Sequence, residues 1–138
     1  MTVVAGYSGT PLVRKIGIKD DHVVLLDAAP SEFELGDTGA AQVVRRLPRS
    51  VDVTLTFHTS YDALARRLPT LFERTTTAGM VWVCWPKKAA QKALGIASDL
   101  DENRVRDLGL ELGFVDVKVA AVDDTWSGLK FVRRLSDR

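Results

Sequence analysis

The chain has 138 residues, 19 Lys and Arg against 18 Asp and Glu, a formal net charge of +1 and a single cysteine. That length makes one domain around one core, able to bury roughly two-thirds of its unfolded surface without a metal or a disulfide. Near-balanced charge excludes the global field that nucleic-acid or anionic-membrane binding uses, and no apolar run reaches the roughly 20 residues of a membrane span.

Cys84 lies in the middle of an apolar run, GMVWVCW, and is expected to be a buried, inert thiol. No leading stretch has the basic-then-apolar form of a signal peptide, so a soluble protein of a reducing cytoplasm is expected. Three short basic clusters stand out: Arg45, Arg46 and Arg49; Lys87, Lys88 and Lys92; and Lys130, Arg133, Arg134 and Arg138. Without interleaved aromatics, each reads as a solvated face. Residues 1–138 read as a single domain, with 1–9 a flexible lead that carries Tyr7 between Gly6 and Ser8.

In chain order, Thr10 and Pro11 start a short helix over 11–16, with Leu12, Val13 and Ile16 on one face and Gly17 at its end. His22 to Asp27 is a continuous apolar run of the kind that forms a strand buried on both faces. Ser31 and Glu34 have capping-box spacing for one turn of helix, closed by Gly36. Gln42 to Arg46 is a weaker second strand. Val51 to Phe57 alternates apolar and polar and is the clearest strand by periodicity. Ser60 caps the next helix, whose Leu64, Leu68, Leu71 and Phe72 fall at helical spacing; Pro69 is expected to kink or restart it. Gly79 closes that unit, and the Met80 to Trp85 strand ends at Pro86, Lys87 and Lys88.

Ala89 to Leu94 reads either as a helical turn or as a loop. Asp101 caps a helix through Leu112, with Gly113 as its stop. Val115 to Val122 and Leu129 to Leu135 are strands whose short DDTWSG connection requires an antiparallel hairpin. Together these define an α/β domain with a mostly parallel sheet of about five or six strands ending in an antiparallel C-terminal hairpin. Only Leu47 to Ser50 separates the second and third strands, too little for an ordinary parallel crossover. The Gln42 segment is therefore either a short edge strand in an unusual arrangement or no strand.

Ligands of such sheets bind beyond the carboxyl ends of the strands. That rim collects Asp27 to Ser31, His58 to Ser60, Trp85 to Lys88 and Asp123 to Ser127. The candidate ligand-binding residues are Trp85, Lys87, Lys88, Asp123, Asp124 and Trp126, with Tyr7 from the lead. Lysines would supply point charge and tryptophans a flat apolar wall, which suits a small anionic molecule. The competing reading makes Asp123 and Asp124 turn residues bonding their own backbone and the tryptophans core. His58 is a weak candidate for a general base, since nothing pairs with it at recognisable spacing. No Cys and His cluster offers a metal site, and neither a phosphate-binding loop nor a nucleophile elbow is present.

The lead helix with GIKDDHVVLLD, the VDVTLTF and GMVWVCWPKK strands, the helix ending in LGFVD and the final hairpin together resemble class I, SAM-dependent methyltransferases in shortened form. That resemblance implies a Rossmann-like three-layer sandwich. YSGTPL, WPKK and DDTWSGL as a set resemble, over nearly the whole chain, a bacterial domain-of-unknown-function family, number three thousand and fifty-two, which carries no established activity. The departures from working methyltransferases are specific. Their glycine-rich turn after strand one reads Asp27-Ala28-Ala29-Pro30-Ser31 here, and their acidic residue after strand two is replaced by Arg45 and Arg46. The Asn or Asp with Pro-Pro-Tyr/Phe of many amino-directed members is absent; Phe57-His58-Thr59-Ser60 stands there. The expectation is a non-catalytic binding or regulatory module with a degenerate crevice and no cofactor, taking a small anionic ligand or a protein partner. The alternative is an enzyme using SAM or a nucleotide-type cofactor in the same crevice. An open sheet edge also leads us to expect a homodimer, and neither nucleic acid nor membrane as a partner.

Overall fold

The computed structural model describes residues 10–138. Four strands run parallel: β1 (Val23–Asp27), β2 (Gln42–Val44), β3 (Val51–Phe57) and β4 (Thr75–Pro86). The hairpin β5 (Phe114–Ala121) and β6 (Trp126–Arg133) completes a six-stranded sheet in the order β2-β1-β3-β4-β6-β5, with β6 antiparallel to both neighbours. Helices α1 (Leu12–Ile16), α2 (Tyr61–Arg74), α3 (Lys88–Leu94) and α4 (Glu102–Glu111) complete the Rossmann-like α/β architecture.

The period-two geometry of strands sends successive side chains to opposite faces, and β4 shows it directly. Val81, Val83 and Trp85 join Leu64, Leu68, Leu71 and Phe72 of α2 and Val105 and Leu108 of α4 in one buried cluster. Trp82 and Cys84 point to the other face, where Leu12 and Ile16 of α1 cover them together with Phe33 and Leu35. Fully buried Trp82 satisfies its indole by donating Nε1–H to the Ile16 carbonyl at 3.0 Å, which pins α1 to the sheet. On the opposite layer α4 lies so close to β6 that Gly109 leaves no room for a methyl group against the Phe131 ring.

Several boundaries differ from those read in the sequence. The Ser31–Glu34 spacing forms no helix: Phe33 and Leu35 are both buried while their neighbours Glu32, Glu34 and Gly36 are exposed, a two-residue alternation that an extended segment satisfies and a helix does not. Pro11 stands at the N-cap of α1, and no side chain caps that helix. α2 runs unbroken through Pro69. β4 begins at Thr75 directly after α2, so Gly79 lies inside the strand rather than before it. Its lack of a side chain is required there, because a Cβ would stand 2.8 Å from the Asp52 carbonyl oxygen. The 89–94 segment is helical, within α3.

The Gln42 segment is a three-residue edge strand parallel to β1. Because β2 is so short, the chain needs little return length before β3. Residues 45–50 make that crossover, with Leu47 packed on the α2-side core and the Pro48 carbonyl accepting from Arg74 Nη1 at 3.0 Å.

Candidate functional site

From β1 the chain passes to β2 on one side and then to β3 on the other, so the sheet's topological switch point lies between β1 and β3. A crevice at the carboxyl ends of such strands is where doubly wound sheets hold ligands. Asp27 ends β1 and pairs in register with Thr56 of β3, and His58 follows β3 immediately.

These residues form one network. Thr56 Oγ1 donates to Asp27 Oδ2 at 2.7 Å and stands 2.6 Å from His58 Nε2. An ionised carboxylate only accepts, so the single hydroxyl proton of Thr56 goes to Asp27 and the hydroxyl oxygen accepts Nε2–H of His58. That assigns the Nε2–H tautomer and makes Nδ1 the basic nitrogen. Arg67, two turns into α2, closes the network: Nη2 lies 2.7 Å from Asp27 Oδ1, and Nε lies 3.2 Å from each carboxylate oxygen. The Asp27 side chain is 10% exposed and that of Arg67 36%, so a nearly buried carboxylate is held by a cation that reaches in from the rim. The hydrogen bond to Asp27 raises the pKa of Arg67. Burial lowers the pKa of His58 below 6.5; nearby Asp27 opposes the shift and Arg67 adds to it. The imidazole is therefore neutral at pH 7. Ala28, next after Asp27, sits at φ 55°, a left-handed conformation that glycine adopts freely and alanine with strain.

On the other face of the strand ends, Phe57 stacks at a tilt on Phe33, with centroids 4.8 Å apart, and receives Trp126 edge-on at 5.2 Å. The His58 amide donates to the Cys84 carbonyl, which ties this corner to the end of β4.

The structure places the sequence candidates as follows. Pairing of Pro86 with Trp126, and a 2.8 Å bond from the Lys87 amide to the Thr125 carbonyl, bring the Trp85–Lys88 exit and the Asp123–Trp126 turn side by side. Trp85 is buried in the α2-side core. Asp123 Oδ1 accepts from the amides of Thr125 and Trp126 at 2.9 and 2.8 Å, an Asx turn within the hairpin. Asp124 is exposed. Lys87 is the N-cap of α3, and Lys88 lines an open cleft of about 650 Å³ with Gln91, Lys92, Ser98, Asp99 and Leu100. Tyr7 lies outside the described residues. No group of three or more metal-ligating side chains occurs among the described residues.

Sequence reasoning missed Thr56 and Arg67 and did not pair them with Asp27. The available signal was Arg67 beside the Leu64, Leu68, Leu71 stripe, a cation at the margin of a helix that covers a strand ending in Asp27.

The strand ends differ in three ways from a crevice in which class I methyltransferases hold SAM. Ala28, Ala29 and Pro30 carry side chains where backbone must approach the cofactor, Asp27 is committed to Arg67, and β2 is followed by Arg45 and Arg46 in place of a carboxylate for the ribose hydroxyls.

No family model matches the chain, and no curated protein matches it. Solved structures do share its fold. Magnesium protoporphyrin IX methyltransferase from Synechocystis with bound SAM superposes with a TM-score of 0.60 at 11% identity, over 89% of this chain and 74% of that one. The pyocyanin biosynthetic protein PhzM gives 0.59 at 14% identity, over 89% of this chain and 53% of that one. PigF with SAH gives 0.57 at 10%, over 82% and 57%. A second structure of the Synechocystis enzyme, with bound SAH, is covered over 53% of its length, so the chain spans about half of several of these proteins. The chain has a Rossmann-like methyltransferase fold.

Proposed function

We propose that this protein is a non-catalytic binding module, in which a methyltransferase-like crevice recognises a small anionic ligand. The observation that carries this reading is the Asp27–Arg67 pair. The carboxylate at the end of β1 is bound by a guanidinium from its own α2, and the turn after it is built from alanines and proline in place of glycines. With Asp27 neutralised internally, the cations that remain at the rim favour an anion. The likeness of YSGTPL, WPKK and DDTWSGL to the domain-of-unknown-function family belongs to the same proposal, as does a role in regulation through a bound ligand or protein partner.

The second reading, an enzyme that uses SAM, is favoured by a different observation. A neutral imidazole, oriented by Thr56, stands beside the crevice of a fold whose relatives include structures with SAM and SAH bound. Calorimetry of the full chain against SAM and SAH separates the two. The module reading expects no saturable binding of either. Stoichiometric SAM binding that moves the amides of Asp27, Ala28 and His58 in NMR spectra sinks it and establishes the second.

A further inference from the structure

We infer that Lys118 and Lys130 form an anion site on the α1 side of the terminal hairpin, which takes a phosphate group carrying two negative charges. The pair lies on the opposite face of the sheet from α2 and at least two strands from β3, so it stands apart from the switch-point crevice.

The register of the hairpin carries the argument. Lys118 of β5 pairs directly with Lys130 of β6, and Lys130 pairs on its other side with Trp82 of β4. Leu129 and Phe131 belong to the α2-side core, so Lys130, between them, points to the α1 side as Trp82 does. Lys118 shares that face, and directly opposed residues hold their β-carbons about 5 Å apart. The two ammonium groups thus rise from neighbouring points of one surface. Lys118 Nζ lies 3.5 Å from the Lys15 carbonyl oxygen, and Lys15 Nζ donates to the Ala121 carbonyl at 3.0 Å, which brings a third ammonium group to β5 beside the end of α1.

Like charges directly opposite each other destabilise a sheet. No carboxylate of the hairpin strands offsets this pair: Asp116 is the only one in β5 and β6, and it is held on the other face by Arg106 of α4. Among the described residues no ion pair includes a lysine. Lys130 is half-buried, and burial together with the nearby Lys118 lowers its pKa. A lysine beside a bulge on an edge strand, as Lys118 is, keeps foreign strands away. That reason does not extend to Lys130, which sits on the inner strand β6. Lys118 is exposed, so an ion can approach the pair from solvent. Ammonium groups hold phosphate as point charges, and a phosphate monoester brings close to two negative charges at neutral pH. Bound between the lysines, it replaces one repulsion by two attractions.

Urea unfolding and NMR of the full chain test the inference with inorganic phosphate and glycerol 3-phosphate, each against chloride at equal ionic strength. At about 20 mM at least one of the two phosphates is expected to raise the urea midpoint above that in chloride, and to raise the pKa read from the Lys130 side-chain signals. The one that binds more tightly identifies the phosphate as free or esterified. Lys118→Met is expected to lose the response to phosphate, yet to unfold in chloride at the same or a higher urea concentration, because it removes a like charge facing Lys130. Lys118→Arg, which keeps the charge, is expected to retain the response. Equal midpoints in phosphate and chloride, a response that survives Lys118→Met, or a lower midpoint for Lys118→Met in chloride overturns the inference. The crevice reading fails separately: phosphate that moves the amides of Ala28 and His58 but leaves the Lys118 and Lys130 signals in place supports the crevice and overturns the hairpin site.

Discussion

Arg67 grips Asp27 across 40 residues of sequence, with Nη2 at 2.7 Å and Nε at 3.2 Å from the carboxylate, and it does so at the switch point of the sheet. Removing one partner of a fully buried pair costs about 3–5 kcal/mol, because the other charge is stranded. Arg67 is 36% exposed and Thr56 still donates to Asp27, so Arg67→Leu should destabilise by about 2 kcal/mol. Asp27→Asn alone should cost less, since it leaves no buried charge behind. Urea unfolding of both single variants and the double variant should give a coupling energy of about 1 kcal/mol or more. Additive single effects would mean that solvent already screens the pair.

His58 makes stability depend on pH in a defined direction. Its folded-state pKa lies below the ordinary 6.5, chiefly through burial, with Asp27 raising it and Arg67 lowering it. In the interval between the folded and unfolded values the unfolded chain binds more protons, so stability rises with pH there. The contribution is complete above about pH 6.5 and is lost as pH falls through the folded value. Unfolding free energies measured between about pH 5 and 8 should slope less in His58→Asn than in the parent, and only on the acid side. An identical slope in the two proteins would place the titration elsewhere. Long-range ¹H–¹⁵N spectra should in addition show the Nε2–H tautomer that the Thr56 hydroxyl imposes.

The parts of this fold that local rules govern were legible. Alternation from Val51 to Phe57, Ser60 and Asp101 as caps and the shortness of the link between the last two strands fix strand, helices and hairpin, because each depends on neighbours a few residues away; the link itself is shorter than expected, 122–125, since Trp126 to Gly128 already pair within β6. Thr75 to Ala78 was not legible as strand: no glycine or proline separates it from α2, and Gly79 looks like a stop although it serves the close approach to Asp52. Ser31 and Glu34 have the spacing of a helix start, yet burial of both Phe33 and Leu35 outweighs one turn of hydrogen bonds. For the site, the rim was legible from the strand ends, and Asp123 as a turn residue was one of the two readings of it. The Asp27–Thr56–Arg67 network was not, since it joins three elements whose meeting depends on strand order, and strand order is not written in spacing.

Gly109 offers a test in which helix propensity and packing disagree in sign. It lies inside α4, where alanine is favoured over glycine by about 1 kcal/mol. A Cβ there would overlap the Phe131 ring, which is fully buried and cannot move aside freely. Packing should win, and Gly109→Ala should lose about 2 kcal/mol and lower Tm by several degrees. Phe131→Leu in the Gly109→Ala background should recover part of that loss, although Phe131→Leu alone is destabilising. A Tm for Gly109→Ala at or above the parent would mean that α4 shifts on the sheet to admit the methyl.

Thr54 and Thr56 stand two residues apart on the same face of β3, both fully buried, and they should respond oppositely to the same substitution. Thr56 donates to Asp27, so Thr56→Val removes a charge-assisted hydrogen bond from a nearly buried carboxylate and should cost about 2 kcal/mol. The Thr54 hydroxyl has no hydrogen-bond partner among the described residues, so the folded state already carries the cost of desolvating it. Valine keeps the branched shape and strand preference while removing the orphaned oxygen, and Thr54→Val should stabilise by about 1 kcal/mol. The check is the urea midpoint at unchanged m, upward for Thr54→Val and downward for Thr56→Val. A fall in midpoint for Thr54→Val would show that its hydroxyl does find a partner, most simply a buried water between β3 and α2.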